Sequence, residues 1–249
     1  DKEWLREKGW PILSATADFW SSRVERNGPG QYDIKNVVAA DEWAENVDNN
    51  AFTNAAAICN LKYATEAAKV LGLTPNPDWL HVAENIPILR FENGVTKEHA
   101  TYKGEGIKQA DVNLLAYPLK MITHAEDIQR DLEYYETRVP DEGTPAMTQA
   151  IFSLLYARLG NREKAFHWFQ DAYLPNLLPP FRVIAETKGG TNPYFATGAG
   201  GVLQAVLMGF GGLDITASGI RQVPSVLPSH WKKLELRGIG LDKKTFIIK

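Results

Sequence analysis

One cysteine in 249 residues, Cys59, leaves no partner for an intrachain disulfide and no thiolate set for zinc. In a helical pattern a lone cysteine reads as a small buried hydrophobe. Basic runs are equally scarce: no stretch of Lys or Arg exceeds two residues, and the formal net charge is −3. Nucleic acid and an anionic membrane surface are therefore poor first candidates for a partner. No apolar run reaches the roughly 18 residues of a spanning helix. The longest candidate, GVLQAVLMGFGGL, is short and glycine-rich, so no membrane span is expected. His81, His99, His124, His167 and His230 show no HxxxH-type spacing, and no metal site is expected. GxSxG and the P-loop are absent, and no cofactor is expected. GAGG at 198–201 lacks the strand and the spacing of a dinucleotide fingerprint. It reads instead as close helix packing, or as a place for a ligand oxygen at a helix start. The chain opens on DKEWLREKGW, with neither Met nor a signal-peptide pattern, as an excised piece would.

What is present is an ordinary globular composition, 44 % hydrophobic and 23 % charged. Seven or eight helices joined by unequal loops are expected, without a fixed-period repeat. In PILSATADFWSSRVER, Ile12, Ala15, Phe19 and Val24 fall near one face, and NGPG (27–30) breaks the run. Asn49 and Asn50 offer a cap for a long helix with Ala51, Ala55, Ile58, Leu61 and Ala68 on one stripe and Gly72 at its end. Pro77 suits a first helical position after Asn76. QADVNLLAYPLKMI is apolar on several faces, a deeply buried helix that Pro118 should kink or end. Near the C-terminus the period becomes two: Leu234/Leu236 and Phe246/Ile248 alternate with charges, as in a β-hairpin. VPSVLPSHW marks the expected boundary, dividing the chain into 1–225 and 226–249.

Three long loops, 28–48, 92–108 and 177–197, carry the groups that can do chemistry. Asp41, Glu42 and Glu45 precede a helix, where acids can serve as caps. Trp43 among them suits a second reading, an indole that stacks on a sugar face and desolvates a neighbouring acid. Glu186 stands in an apolar, glycine-rich loop, either as a surface residue or as a functional carboxylate, and Gly189 and Gly190 serve a turn or a close ligand approach. Lys108 and Gln109 begin a helix or hydrogen-bond sugar hydroxyls, one donating and the other doing both.

These stretches resemble a known family. AADEWAENVDNNAFTNAAA is similar to a signature of glycoside hydrolase family 65, and IKQADVNLLAYPL, YYETR, YFATGAGGVLQAVLMGFGGL and LPSHWKKLELRGI resemble further motifs of that family in the same order. The resemblance spans nearly the whole chain. It implies an (α/α)6 barrel of which this chain supplies the second half, followed by the first strands of a C-terminal β-sandwich. The first half, with a glucose-gripping Asp, would be the missing N-terminal partner. It implies Glu42 as general acid, Glu186 as general base, and Lys108 and Gln109 as residues that hold the glucose. Two departures, Trp43 for the usual Tyr and Ala44 for the usual His, point to a changed leaving-group side.

The expected reaction is inverting hydrolysis of an α-glucosidic bond in a small α-glucoside, with an α-1,2 linkage as in kojibiose among the candidates. Lys188 near Glu186 is expected to favour its ionised form. A phosphorylase of the same family is the alternative, although AETKGG carries the Glu of the hydrolases. A helical binding module without activity is the third reading, and a homodimer is an expectation from the family's habit.

Overall fold

The computed structural model describes residues 1–141 and 143–249, which are mainly helical with short two-stranded antiparallel sheets. They divide into two units, Asp1–Glu105 with Pro118–Ile122, and Gly106–Tyr117 with Thr123–Lys249. No helix among the described residues is long and apolar enough to cross a membrane.

In the first unit α1 (Lys2–Trp4) passes through a π turn at Leu5–Gly9 into α2 (Trp10–Arg23). Of the stripe expected to face the core, Ile12 is 66 % and Phe19 54 % exposed, Ala15 is exposed, and Val24 packs on the core. The buried face carries Ala17 in the core with Trp10, Leu13, Trp20 and Val24 packed on it. Both sets have helical spacing, but the second carries two indoles and removes far more apolar area from water. Trp79 meets Trp10 edge-on at 6.0 Å, and its Nε1–H donates to Asp18 at 2.9 Å. The NGPG breaker is the turn between β1 (Glu25–Arg26) and β2 (Tyr32–Asp33). α3 (Ala51–Leu71) buries the expected stripe: Ala51, Ala55, Ile58, Leu61 and Ala68 are none of them more than 5 % exposed. It stops at Gly72, whose φ of 72° is the left-handed conformation that glycine adopts without strain. α4 (Pro77–Asn85) starts under an Asn76 cap with Pro77 in its first turn, as expected.

In the second unit the apolar segment after Gln109 is not the expected helix but a single 3-10 turn, Val112–Leu115. The N–H groups of Ala116 and Tyr117 both turn back to the Asn113 carbonyl, and Pro118 has no N–H to continue a ladder. The expected burial holds, with Val112 1 % and Leu115 0 % exposed. α5 (Ala125–Tyr135) is followed by α6 (Ala146–Arg158) and α7 (Arg162–Asp171), the last two joined through Gly160 and an Asn161 cap. Glu136, from YYETR, accepts from the Tyr156 hydroxyl at 2.7 Å, Lys164 at 2.5 Å and the Trp168 indole at 3.2 Å. It anchors α6 and α7 to the end of α5. Burial, and then the adjoining Glu136, push the Tyr156 phenol well above its ordinary range.

α8 (Ala196–Gln204) runs on as a π turn, Ala205–Phe210. Its glycines serve close packing. A Cβ on Gly198 would lie 3.0 Å from the Ala146 Cβ and 2.9 Å from the Phe195 ring, and one on Gly201 would lie 3.0 Å from the Ala150 Cβ. Gly198→Ala is therefore expected to destabilise by about 1–3 kcal/mol through overpacking, read as a lower midpoint in denaturant unfolding. An unchanged midpoint would mean that the helix pair yields freely. Short hairpins β3–β4 (Leu177–Leu178, Val183–Ile184) and β5–β6 (Leu213–Thr216, Gly219–Gln222) were not foreseen. The C-terminal hairpin β7–β8 (Leu234–Ile239, Lys244–Ile248) was, with Leu234 opposite Ile248 and Leu236 opposite Phe246. Trp231, just ahead of it, packs on Phe210 at 5.2 Å and Phe169 at 5.9 Å.

Candidate active site

Glu42 and Trp43 stand at the tip of a pinched loop in the first unit. Val37 and Val47 close its neck by exchanging two backbone hydrogen bonds of 3.0 Å. Inside the neck, Ala39 N–H donates to the Ala44 carbonyl and Ala44 N–H to the Asp41 carbonyl, each at 3.0 Å. Asp41 is 1 % exposed, and its Oδ1 accepts from Trp43 N–H at 3.1 Å. A short acid that bonds the backbone two residues on builds a turn, so Asp41 is the staple, and Glu42 and Trp43 face outward. Below the neck, Asn49 N–H donates to the Ile34 carbonyl at 2.8 Å, and its side chain donates to Asp33 Oδ1 at 2.9 Å. Asn36, Asn46 and Asn49 have φ of 53°, 55° and 51°, a left-handed conformation that Asn tolerates better than most residues. This accounts for the density of amides in the sequence.

The cap of α3 is Asn50, which accepts from Thr53 N–H at 2.8 Å, rather than a carboxylate of 41–45. The helix start nevertheless braces the loop. Ala51 N–H and the Asn50 side chain both donate to the Glu98 carbonyl, at 2.7 and 3.1 Å, and Ala100 N–H donates to the Asp48 carbonyl at 2.9 Å. His99 in this brace is held below its ordinary pKa by burial, against the opposing pull of Glu105 and Asp41. Glu42 is exposed and Trp43 51 % exposed, so this unit by itself leaves the carboxyl in contact with water.

Lys108, Gln109 and Glu186 belong to the second unit, and the structure brings the backbones of Lys108 and Glu186 to one place. Ile107 N–H donates to the Arg138 carbonyl at 2.9 Å, and the Thr148 hydroxyl donates to the Lys108 carbonyl at 3.0 Å. Gln109 is 7 % exposed. Glu186 follows the β3–β4 hairpin, and its carbonyl accepts from Ala146 N–H, the first residue of α6, at 3.0 Å. Its half-buried carboxylate accepts from Asn192 Nδ2 at 3.4 Å, and Lys188 is exposed and is not its partner. Gly189 and Gly190 serve a turn: Gly190 N–H donates to the Thr187 carbonyl at 3.0 Å, and φ at Gly189 is 70°. Thr148 carries no local signal in the sequence, because it acts on a residue 40 positions away. Among the described residues no group of three or more His, Cys, Asp or Glu is placed to hold a metal ion.

The family model described as the glycosyl hydrolase family 65 central catalytic domain matches residues 1–105 and 83–179. Over all of its length the chain is 72 % identical to a kojibiose hydrolase of Mucilaginibacter mallensis and 67 % identical to one of Flavobacterium johnsoniae. It spans 37 % of the length of each of these relatives. It is 37 % identical to an acid trehalase of Emericella nidulans, with 92 % of this chain and 22 % of that protein covered. A solved structure, "Putative kojibiose phosphorylase from human microbiome", superposes on 95 % of this chain and 38 % of its own with a TM-score of 0.73. At 17 % identity it speaks for the fold alone.

Proposed function

Because the chain belongs to glycosyl hydrolase family 65, we propose that it carries the acid and the base of an inverting hydrolase acting on a small α-glucoside. The observation that carries this reading is the tip of the 37–47 loop, where a buried Asp41 turns an exposed acid and an exposed indole outward together. An indole offers a sugar face a flat apolar platform, and an adjacent carboxyl can reach the glycosidic oxygen. Glu42 is then the general acid, and Trp43 lines the leaving-group side. Lys108 and Gln109 hold the glucose, and Glu186 activates water. Inversion needs the two carboxyl groups about 6.5–9.5 Å apart, with room for that water. Identity of 72 % and 67 % to two kojibiose hydrolases supports hydrolysis over phosphorolysis, and an α-1,2-linked disaccharide as substrate.

On this reading the helices are the second half of an (α/α)6 barrel, and residues 226–249 begin a β-sandwich. The exposed Ile12 and Phe19 of α2 then meet the first half of the barrel. Pairing into a homodimer belongs to the same proposal.

The test is to incubate the complete polypeptide that carries this chain with kojibiose, with and without phosphate, and to follow the anomeric product by proton NMR. β-Glucose without phosphate is the expected result. β-Glucose 1-phosphate formed only with phosphate would make the protein a phosphorylase and remove the base role from Glu186. An initial excess of α-glucose over the share that the reducing-end unit already contributes would overturn inversion.

A further inference from the structure

The N-terminus of α6 is capped from a distant segment of the chain. A helix leaves its first N–H groups without partners, and a polar side chain at the N-cap normally takes one of them. Here the cap is Pro145, which offers no side-chain acceptor. The first N–H, that of Ala146, goes instead to the Glu186 carbonyl at 3.0 Å, and Pro145 bridges Thr187 alongside. The same carbonyl accepts a second hydrogen bond, from Asn176 Nδ2 at 3.1 Å. Asn176 Nδ2 also donates to the Ala185 carbonyl at 3.2 Å, and the Asn176 carbonyl accepts from Ala185 N–H at 2.7 Å. Asn176 is 3 % exposed. A buried amide must find partners, and this one spends its donors on two consecutive carbonyls, the second that of Glu186.

Two residues further into the same helical turn, Thr148 is 1 % exposed. Thr148 stands in the first turn of α6, so no helical carbonyl lies four residues before it. Its hydroxyl donates out of the helix to the Lys108 carbonyl at 3.0 Å. One turn of α6 thus mounts two segments distant in sequence, the one that carries Glu186 and the one that carries Lys108 and Gln109.

We infer that Asn176 and Thr148 are positioning residues, Asn176 for the carboxylate that activates water and Thr148 for the pair that holds the glucose. The inference rests on the function proposed above. A displacement of about 1 Å in such a group costs on the order of 100-fold in rate. Losing Asn176 removes one of the two hydrogen bonds to the Glu186 carbonyl and lets the backbone beneath the carboxylate shift. Losing the Thr148 hydroxyl frees Lys108 and Gln109, which act in binding.

The experiment compares Asn176→Ala, Asn176→Ser, Thr148→Val, Thr148→Ser and Glu186→Gln in the complete polypeptide, with circular dichroism to verify folding. Asn176→Ala is expected to lower kcat by about 10–100-fold with little change in KM, and Asn176→Ser, which keeps one donor, to restore part of it. Thr148→Val is expected to raise KM by about 10-fold with a smaller change in kcat, and Thr148→Ser to restore it. A loss of folded protein would also lower the apparent kcat at unchanged KM, so kcat is taken per folded molecule from the circular dichroism signal; such a loss cannot reproduce the KM effect of Thr148→Val. If Glu186→Gln hydrolyses normally, the proposed function itself fails. If Glu186→Gln is inactive while folded Asn176→Ala keeps the original kcat, only the positioning of the base is overturned. Should Asn176→Ala not fold, Asn176→Ser is read by the same two quantities. An unchanged KM in Thr148→Val overturns the positioning of the glucose-holding pair.

Discussion

Glu42→Gln in the complete polypeptide is expected to hydrolyse an α-linked disaccharide about 10²–10⁴-fold more slowly, with its unfolding midpoint unchanged. The expected stability follows from placement. Glu42 is exposed at the tip of its loop, and the turn beneath it is held by Asp41 and by the Val37–Val47 pair. The loss of rate follows from the leaving group. A sugar alkoxide departs only when its oxygen is protonated, and an amide of the same shape has no such proton to give. Fluoride needs little protonation, so the variant should keep far more of its rate on α-glucosyl fluoride than on the disaccharide. Equal losses on the two substrates would show that Glu42 does something other than protonate a leaving oxygen.

Glu186→Gln carries the second large effect, and its pattern differs. Water must be deprotonated whichever group leaves, so a loss of about 10²–10⁴-fold is expected on disaccharide and fluoride alike. A base works only when ionised, so activity should fall along an acid limb at low pH. That acid limb should vanish from whatever activity the variant retains. Because the Ala146 and Asn176 contacts go to the Glu186 backbone carbonyl, the substitution leaves them in place. Full hydrolysis by Glu186→Gln, at any pH, would remove Glu186 from the mechanism.

The parts legible in the sequence were those set by local chemistry. Asn50, Asn76 and Gly72 mark helix ends because capping depends on a few adjacent residues. The β7–β8 pairing of Leu234 with Ile248 and Leu236 with Phe246 follows from alternation, which a register shift between Leu236 and Ile239 interrupts. The α2 face was read in part wrongly because two stripes of similar spacing compete, and spacing alone does not weigh two indoles against Ile and Phe. The segment after Gln109 looked helical because it is apolar, yet it forms only the 3-10 turn Val112–Leu115, and Pro118 has no N–H to extend it. Of the candidate site, Glu42 was visible through its neighbours, whereas the mount beneath Glu186 was not. It is made of Ala146, Thr148 and Asn176, ordinary residues in ordinary contexts whose effect arises only once the chain has folded.

The pinch at Val37 and Val47 confines change. Two backbone bonds at the neck leave the exposed tip residues Glu42, Trp43 and Glu45 outside the core, while Ala39, Asp41 and Ala44 are buried inside the loop. Substitutions of Trp43 or Glu45 are thus expected to leave α3 and the amide lattice below intact, and on the proposed reading they are where aglycone preference would change. Such an arrangement separates what selection can explore from what it must keep. A lineage could acquire a new substrate here by a few tip replacements, with the scaffold inherited whole.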